Sequence, residues 1–432
     1  MPGENLARPT IFALSSGRPP AAVAIVRTSG TRAHDAARLL TLLPPPRQAA
    51  VRTLRDPQDG RVIDEALVLR FDAPESATGE DVVEYQCHGG RAVVDALCGA
   101  LGAIHGLREA QPGEFTRRAF SNGRIDLTEA EGLADLLEAE TEAQRRAALA
   151  LASGGLKRQV EQWQSRLVDL SARAEAAIDY VDEDDVAGGD AQLSDDARAL
   201  ADELAEWLGR PRIEPLRDGI RVVVAGPTNA GKSSLVNAIA ESDRAIVTEI
   251  PGTTRDTIEV PLAIGGVPFL LVDTAGLRDT DDRVERIGID RAQGEFARAD
   301  ILLWLGELDG APDHARVILV HSKSDQQDRV DVPNPSIAVS ARTRAGIDAL
   351  VARMVELSQT LLPGEDALAL NRRQAAALAS VESDLRDSGK TSDIVLVADH
   401  FRSARNGLDR LTGRAGVEDM LDALFGRFCL GK

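Results

Sequence analysis

The sequence predicts a multi-domain α/β protein in which a doubly wound α/β domain is inserted into a discontinuous all-α domain. Three observations lead to this prediction. A glycine-rich motif lies between a strand-like apolar run and a helical run at residues 221–239. Strand-like and helix-like segments then alternate to about residue 361, a pattern typical of a doubly wound sheet. Helical periodicity flanks this segment on both sides.

The domain boundaries follow from where the periodicity changes. With 432 residues the chain is long enough for about three domains. A domain can be inserted into another when its two ends lie close together. The alternative is two separate small helical domains on either side of the α/β segment. We predict an N-terminal domain over residues 1–122, a first helical part over 123–217, the α/β domain over 218–361 and a second helical part over 362–432.

The elements outside the α/β domain are predicted from their local patterns. Residues 22–26 and 66–71 form short strand-like runs, and residues 93–97 begin a helical pattern. Thr128 and Glu131 have the spacing of a capping box before a helical stretch. That stretch extends to about residue 180 with a break at residues 154–155, and further helices are expected at residues 194–208, 371–387, 392–411 and 417–428.

Composition narrows the class of protein. No apolar stretch approaches the roughly 18 residues of a membrane span, and the first residues lack a signal-peptide pattern. Three scattered cysteines, Cys87, Cys98 and Cys429, are too few for a disulfide framework or a zinc site. We therefore expect a cytoplasmic protein without membrane partners.

The net charge of −19 argues against a protein whose main surface neutralises nucleic-acid phosphates. Only 3% of the residues are aromatic, which disfavours a platform for stacking single-stranded bases. A local basic patch stays possible, because Arg108, Arg117, Arg118 and Arg124 are close in sequence. A solvated arginine-rich surface explains them equally well.

The glycine-rich motif G-x-x-x-x-G-K-S occupies residues 226–233. Its backbone N–H groups and the following helix N-terminus suit the phosphates of a nucleotide. Lys232 is expected to reach the β- and γ-phosphates, and the Ser233 hydroxyl to ligate Mg²⁺. The motif therefore predicts a nucleotide-binding site.

Downstream elements favour GTP over ATP. Asp273 follows an apolar run and can hold the Mg²⁺ hydration shell, and Gly276 can donate its N–H to the γ-phosphate. Thr254, in a polar loop, can complete the Mg²⁺ shell. The Asp325 carboxylate matches the paired N–H donors of guanine, and residues 339–341 fit the loop that closes over the guanine O6.

Ser322 departs from the usual GTPase pattern, which has Asn or Thr at this position. A short hydroxyl cannot span both the base and the phosphate loop as an amide does. We therefore expect weaker guanine contacts, a weaker brace to the phosphate loop and looser GTP binding.

Hydrolysis requires an oriented water and a compensating positive charge. Ras-like enzymes have Gln where this chain has Leu277, which cannot orient water. Asn229 resembles the asparagine of GTPases that bind a monovalent cation beside the phosphates. K⁺ there would replace an arginine finger, with Asn229, Thr248, Ile250 and Thr253 as expected ligands.

The predicted GTP-binding residues lie in five segments of the α/β domain. They are Asn229, Ala230, Gly231, Lys232, Ser233, Ser234, Thr248, Glu249, Ile250, Pro251, Gly252, Thr253, Thr254, Asp273, Thr274, Ala275, Gly276, Ser322, Lys323, Ser324, Asp325, Ser340, Ala341 and Arg342.

Three further motifs span both ends of the chain. They are TGEDVVEYQCHGG at residues 78–90, PGEFTRRAFSNGRIDL at residues 112–127 and FCLGK at residues 428–432. With these motifs the whole chain resembles the MnmE (TrmE) family of tRNA-modification GTPases.

The resemblance implies a homodimer whose α+β N-terminal domain is similar to tetrahydrofolate-binding domains and makes the dimer contact. It also implies a flavoprotein partner, MnmG (GidA), in a heterotetramer, and a Ras-like GTPase domain. The implied reaction adds an aminomethyl or carboxymethylaminomethyl group at C5 of the wobble uridine of tRNA. The carbon would come from 5-formyl- or methylene-tetrahydrofolate.

The resemblance also implies roles for individual residues. Arg27, Glu84, Arg124 and Lys432 match the family's folate-contacting positions. Glu84 can accept the N–H pair of a pterin, and the cationic residues suit the glutamate tail. Cys429 would sit near the folate, but without an identifiable base we expect a packed structural residue. For Cys87 and His88 a tight turn is the more economical interpretation.

Glu285 matches a catalytic position of the family's second switch, where it would orient the attacking water through a bridging water. A helix-start carboxylate is the alternative. The resemblance thus indicates a K⁺-dependent hydrolase acting on the acid anhydride of GTP. The competing function is a ribosome-assembly or RNA-binding GTPase switch, or a signalling GTPase, without one-carbon chemistry.

Overall fold

A computed structural model describes residues 8–179, 189–242, 245–247, 258–274, 294–326, 332–364, 367–414, 418–426, 428 and 431. The chain divides into two compact units. The first takes in Met1–Ala134 and Thr412–Lys432, and the second is Asp135–Leu411. The predicted combination of an α+β N-terminal part, a helical part and a doubly wound α/β part is confirmed.

The first unit is built on a six-stranded sheet with the order β3-β4-β5-β2-β1-β6. All neighbours are antiparallel except β1 and β6, which are parallel. The strands predicted at residues 22–26 and 66–71 fall on β2 and β4. The strands are β1 Thr10–Leu14, β2 Val23–Ser29, β3 Ala50–Arg55, β4 Val62–Phe71, β5 Val82–His88 and β6 Leu107–Glu109.

Two helices pack on this sheet, α1 Ala33–Leu40 and α2 Arg91–Gly102. Side chains alternate along β5, so that Val83 and Tyr85 enter the core while Glu84 lies on the opposite face. This alternation positions Glu84 away from the apolar core. The helix predicted from residues 93–97 is confirmed by α2.

The C-terminal helix, Glu418–Phe425, also belongs to the first unit. It lies near α3 Glu114–Ser121 and α4 Leu127–Glu138, and Leu421 and Phe425 share a core with Leu127. Gly113 has φ +69°, and a Cβ there would lie 2.2 Å from the carbonyl oxygen of Phe425. The glycine therefore permits a close approach of the C-terminal helix.

The capping box that starts α4 differs from the predicted one. Asp126 Oδ1 accepts the backbone N–H of Glu129 at 2.8 Å, and Glu129 Oε2 accepts the backbone N–H of Asp126 at 2.8 Å. Thr128, the predicted cap, already lies inside the helix and donates to Asp126. The prediction placed the box two residues late because both Asp126 and Thr128 have a glutamate three positions on.

The second unit begins with helices α5 Glu142–Ala152, α6 Gly155–Asp179 and α7 Gly189–Leu208. The break predicted at residues 154–155 is confirmed, and Gly154 adopts φ +76° there. A short helix, α8 Glu214–Arg217, leads into the α/β part. None of the helices in the described ranges has the length and apolar character that crossing a membrane requires.

The α/β part contains a seven-stranded sheet with the order β13-β12-β11-β7-β10-β9-β8. The strands from β13 to β10 in this order are parallel to one another. Strand β9 pairs antiparallel with both β10 and β8. Central β7 is buried on both faces, as its valine run predicts. The elements are β7 Ile220–Ala225, α9 Lys232–Ala240, β8 Ala245–Val247, β9 Ile258–Ile264, β10 Val267–Asp273, β11 Ile301–Trp304, β12 Val317–His321, β13 Ile337–Ala338 and α10 Ile347–Ser358.

After the sheet the chain returns to helices, α11 Arg372–Ser388 and α12 Ile394–Thr412. Leu378 and Phe401 from these helices share one core with Trp163, Leu167 and Leu200 from the preceding flank. Helices from both flanks of the α/β part therefore share one core.

Candidate functional sites

The phosphate loop leaves β7 at a point where the chain must turn sharply. Gly226 has φ +148°, and a Cβ there would lie 3.0 Å from Leu305 Cβ. Asn229 and Gly231 also adopt positive φ angles, of 62° and 95°. Helix α9 then begins directly at Lys232. The loop therefore ends at a helix N-terminus, the arrangement that favours phosphate binding.

Lys232 is held over this loop. Only 8% of the residue is exposed, and its Nζ donates to the carbonyl oxygens of Gly226 at 3.1 Å and Pro227 at 2.9 Å. The ammonium group therefore stays at the concave side of the loop, where nucleotide phosphates are expected.

Ser233, in the first turn of α9, meets Asp273 at the end of β10. The Ser233 hydroxyl donates to Asp273 Oδ2, and Asp273 is 1% exposed. Asp273 pairs in register with Val224, whose carbonyl accepts the Thr274 hydroxyl at 2.8 Å. Oxygen ligands from two motifs are thus brought together, a set that fits Mg²⁺.

An open cavity of about 550 Å³ lies beside the phosphate loop and contains the predicted base-recognition residues. Asp325 Oδ1 accepts the Ser340 hydroxyl at 2.8 Å, and Arg342 Nε lies 3.5 Å from Oδ2. The Ser340 hydrogen bond, with a contribution from Arg342, lowers the pKa of Asp325 below its ordinary 3.8. The carboxylate therefore stays ionised at neutral pH, as an acceptor of guanine N–H groups must.

Ser322 contacts the phosphate loop directly. It is 4% exposed, and its hydroxyl donates to the Ala230 carbonyl oxygen at 2.7 Å. The brace to the phosphate loop is therefore present as a hydrogen bond from the hydroxyl, and its lower strength relative to an asparagine brace stays a prediction. Weaker contacts to guanine stay a prediction.

Several predicted residues lie outside the described part of the chain. They are Thr248, Glu249, Ile250, Pro251, Gly252, Thr253, Thr254, Ala275, Gly276, Leu277, Glu285, Cys429 and Lys432. Of the four expected K⁺ ligands, only Asn229 is described. Thr254, the second expected Mg²⁺ ligand, also lies outside the described residues.

Arg27 and Glu84 form an ion pair on adjacent strands of the first unit. They are register partners on β2 and β5, with Arg27 Nε and Nη2 at 2.9 and 2.8 Å from Glu84 Oε1. The Arg27 guanidinium also lies 5.7 Å from the Phe115 ring centroid. Both bonds reach the same carboxylate oxygen, so Arg27 orients Glu84 while Oε2 receives no bond from the described residues.

Arg124 lies against the loop that precedes β5 of the first unit. It is exposed, and its Cγ approaches Gly79, where an added Cβ would lie 3.2 Å away. Asn122 Nδ2 donates to the Thr78 carbonyl oxygen at 2.7 Å. The second motif therefore folds onto the first, and a place for Arg124 in the folate site stays a prediction.

The end of the chain returns to β1. The Ser15 hydroxyl donates to the Gly431 carbonyl oxygen at 2.9 Å. A Cβ on Gly431, whose φ is +91°, would lie 2.1 Å from the Leu14 carbonyl oxygen. Since Ala13 of β1 pairs with Arg27, the C-terminus lies near the strand that bears this predicted folate residue.

Cys87 and His88 have separate environments. Cys87 is 2% exposed, and burial raises the pKa of its thiol, which argues against a thiolate nucleophile. His88 Nδ1 lies 2.8 Å from Asp64 Oδ1. A Cβ on Gly89 would lie 2.3 Å from the Ala21 carbonyl oxygen, which supports the tight-turn interpretation.

A network of ion pairs and hydrogen bonds that the sequence did not predict joins the first two motifs. Arg118, 4% exposed on its side chain, donates to Glu80 Oε2 at 3.0 Å and to Glu114 Oε1 at 2.9 Å. Glu80 Oε2 also accepts the Ser29 hydroxyl at 2.7 Å. Glu80 lies in the motif at residues 78–90 and Glu114 in the motif at residues 112–127. Their place in these motifs was the sequence signal that could have indicated the network.

The comparisons with known proteins cover nearly the whole chain. The MnmE helical domain family matches residues 127–429, and the family described as GTP-binding protein TrmE N-terminus matches residues 10–124. The tRNA modification GTPase MnmE of Erythrobacter litoralis is 53% identical over 98% of this chain and 100% of its own length. The protein of the same name from Rhizorhabdus wittichii is 53% identical over 100% of this chain and 98% of its own length.

Among solved structures, the G domain of the T. maritima FeoB iron transporter is 23% identical over 32% of this chain and 99% of that chain, with a TM-score of 0.24. The family assignment depends instead on the full-length relatives and on the two family models, which together match residues 10–124 and 127–429. On these grounds the chain belongs to the MnmE family of tRNA-modification GTPases.

Proposed function

We propose that this GTPase is K⁺-dependent and works with the flavoprotein MnmG (GidA) to modify the wobble uridine of tRNA. The product carries an aminomethyl or carboxymethylaminomethyl group at C5, with its carbon taken from 5-formyl- or methylene-tetrahydrofolate. The working assembly is a homodimer that joins its partner in a heterotetramer.

The nucleotide site is proposed to select guanine through Asp325. Its carboxylate is ionised and oriented by the Ser340 hydroxyl, so it can accept two N–H donors that adenine lacks. Ser233 and Thr254 would hold Mg²⁺, with Asp273 bound to its water shell. The ion neutralises charge on the phosphate oxygens. Lys232 is already directed to the same side of the loop.

The proposed K⁺ site combines Asn229 with Thr248, Ile250 and Thr253. Bound K⁺ supplies the positive charge that an arginine finger gives other GTPases. Asn229 stands in the phosphate loop with φ 62°, a left-handed conformation that asparagine adopts more readily than most residues. Glu285 would orient the attacking water.

The folate part of the proposal is supported by one observation above all. Gly431 and Arg27 lie beside the same stretch of chain, since Ser15, which follows β1, donates to Gly431, and Ala13 of β1 pairs with Arg27. A ligand at the Arg27–Glu84 pair would therefore lie near the strand that receives the chain terminus. Oε2 of Glu84, which receives no hydrogen bond from the residues that the structure describes, can accept pterin N–H groups, and Lys432 supplies charge for a glutamate tail.

Calorimetric titration of the full-length chain with 5-formyl-tetrahydrofolate tests the folate proposal. Glu84→Gln should abolish measurable binding, whereas Glu65→Gln, an exposed carboxyl on neighbouring β4, should leave it unchanged. Mass analysis of wobble uridine in cells lacking the gene, with and without the wild-type copy, tests the reaction itself. A wild-type chain that binds no folate would refute the one-carbon proposal.

The K⁺ proposal has a separate test. GTP turnover should be faster in K⁺ than in Na⁺ at matched ionic strength, and Asn229→Ala should remove the difference. Equal turnover in the two salts would exclude it.

A further inference from the structure

The first unit contains a cleft of about 780 Å³ between the N-terminal residues, α3 and the C-terminal helix. Four guanidinium groups and two carboxylates line it, so its own charge is positive in a chain whose net charge is −19. The charged residues are Arg8, Arg108, Arg117, Arg118, Glu114 and Asp422.

Glu114 and Arg118 form the fixed part of the cleft. Arg118 donates to Glu114 Oε1 at 2.9 Å and to the Pro9 carbonyl oxygen at 2.8 Å, which holds the N-terminal stretch against α3. Burial alone would raise the pKa of Glu114, but the hydrogen bonds from Arg108, Gln111 and Arg118 lower it to about 2. Glu114 is therefore a permanent carboxylate around which the arginines are ordered.

Arg108 is ordered by this carboxylate and still faces solvent. Its Nη2 and Nη1 lie 2.6 and 2.8 Å from the two Glu114 oxygens, while 42% of the side chain is exposed. A guanidinium held in one orientation loses little freedom when it binds an anion.

Arg117 is held more loosely. Its Nη1 lies 2.9 Å from Asp422 Oδ1, with 48% and 69% of the two side chains exposed. A surface ion pair of this kind contributes little to the stability of the fold. A phosphate can therefore replace Asp422 as the partner of Arg117 at a low free-energy cost. Arg8, which also lines the cleft, is exposed as well.

We propose that this cleft binds the phosphate backbone of the tRNA substrate through Arg8, Arg108 and Arg117. The proposal rests on the proposed function, which makes tRNA the substrate. Because the whole chain is strongly acidic, RNA must be held by a local basic surface. Three of the four arginines that we noted as close in sequence line this one cleft, and guanidinium matches phosphate geometry.

The test measures binding of an unmodified tRNA transcript with a wobble uridine to the full-length chain over a series of salt concentrations. Arg117→Glu should weaken binding about tenfold and lower the slope of log affinity against log salt by about one. Arg108→Gln should act in the same direction. Asp422→Asn should tighten binding, because it removes the competing carboxylate.

Matched controls come from the exposed pair Arg38–Asp35 on α1, which has a similar length of 2.6 Å. Arg38→Glu and Asp35→Asn change the same charges away from the cleft and should leave tRNA affinity unchanged. Basal GTP hydrolysis should stay at the wild-type rate in all variants, and amide hydrogen exchange in α3 should match that of the wild type, which verifies folding of the first unit.

If Arg117→Glu and Arg38→Glu weakened tRNA binding equally, the proposed role of the cleft would be wrong, because only the net charge of the chain would then matter. Unchanged tRNA affinity in Arg117→Glu, with loss of tRNA modification, would also overturn it and would indicate an acidic protein segment as the occupant. Failure of the proposed function has a different signature, namely wobble uridine whose mass does not depend on the wild-type gene.

Discussion

The Ser322 hydroxyl donates a 2.7 Å hydrogen bond to the carbonyl oxygen of Ala230. This bond connects the loop after β12, which contains Asp325, to the phosphate loop after β7. A hydroxyl has a single O–H donor, whereas an asparagine amide has two N–H donors and an acceptor. Ser322 therefore uses its donor on the brace between the loops, and only its oxygen can accept further bonds.

We predict that Ser322→Ala weakens GTP and GDP together, by about 1 kcal/mol for the lost hydrogen bond. Ser322→Asn should tighten both nucleotides by a similar amount without changing base preference, because the amide adds a donor. Calorimetry with GTP, GDP and ATP measures both effects. Equal affinities for wild type and Ser322→Asn would mean that the hydroxyl already supplies the whole brace.

Asp325→Asn should collapse the preference for guanine over xanthine, since an amide replaces one acceptor by a donor that suits the xanthine carbonyl. The measurement compares dissociation constants for GDP and XDP. Ser340→Ala is the control, because it removes only the 2.8 Å bond that orients Asp325 and should weaken both without reversing the order. A variant that still prefers GDP would assign base selection to another residue.

The phosphate loop and its flanking elements were predictable because their chemistry is local. Glycines at Gly226 and Gly231 and the helix start at Lys232 follow from a continuous motif, and the structure has β7 and α9 at those places. The helices of the two flanks were also predictable, since helical periodicity is a property of each flank alone, but the core that they share was one of two alternatives.

Long-range pairing could not be predicted in the same way. The bonds from Arg118 to Glu80 and Glu114 depend on how α3 packs against the loop before β5. Hydrophobic periodicity along the sequence does not predict this packing. The contact between Ser322 and Ala230 depends on a loop separation that sequence spacing leaves open. Likewise, two overlapping capping patterns at residues 126–131 differ only in which carboxylate or hydroxyl reaches the helix N-terminus.

Glu285→Ala should bind GTP normally and hydrolyse it at least about 100-fold more slowly, the usual effect of removing a group that activates water. Single-turnover rates and nucleotide affinity separate the two steps. Glu307→Ala changes an exposed carboxyl in the same domain and should hydrolyse at the wild-type rate. Loss of GTP binding with unchanged turnover of the bound nucleotide would contradict this role.

Glu114 should make the first unit sensitive to acid. Its pKa of about 2 in the fold, against an ordinary value of 4.5, corresponds to roughly 3 kcal/mol of stability. Because the folded pKa is the lower one, this stability is fully present above about pH 4.5 and is lost as the pH falls towards 2. Glu114→Gln should therefore be destabilised at pH 7, with a difference from wild type that shrinks below pH 4.5.

Amide hydrogen exchange in α3 over this pH range measures that loss within the unit itself. Glu142→Gln is the matched control, since Glu142 also pairs with an arginine but is exposed at the surface of α5. A difference between wild type and Glu114→Gln that stays constant from pH 7 to pH 2 would show that the carboxylate charge contributes nothing.

The last prediction concerns the chain terminus. Because Gly431 is bonded to Ser15 beside β1, removal of residues 430–432 should weaken formyl-tetrahydrofolate binding by about tenfold or more, the effect of losing a hydrogen bond to a charged group. It should abolish tRNA modification and spare basal GTP hydrolysis.

Ser15→Ala, which removes only the 2.9 Å bond, should give a smaller loss of folate affinity in the same direction. Calorimetry and mass analysis of wobble uridine measure both variants. Unaltered folate affinity in the truncated chain would show that the terminus docks for structural reasons alone and that Lys432 does not contact the folate.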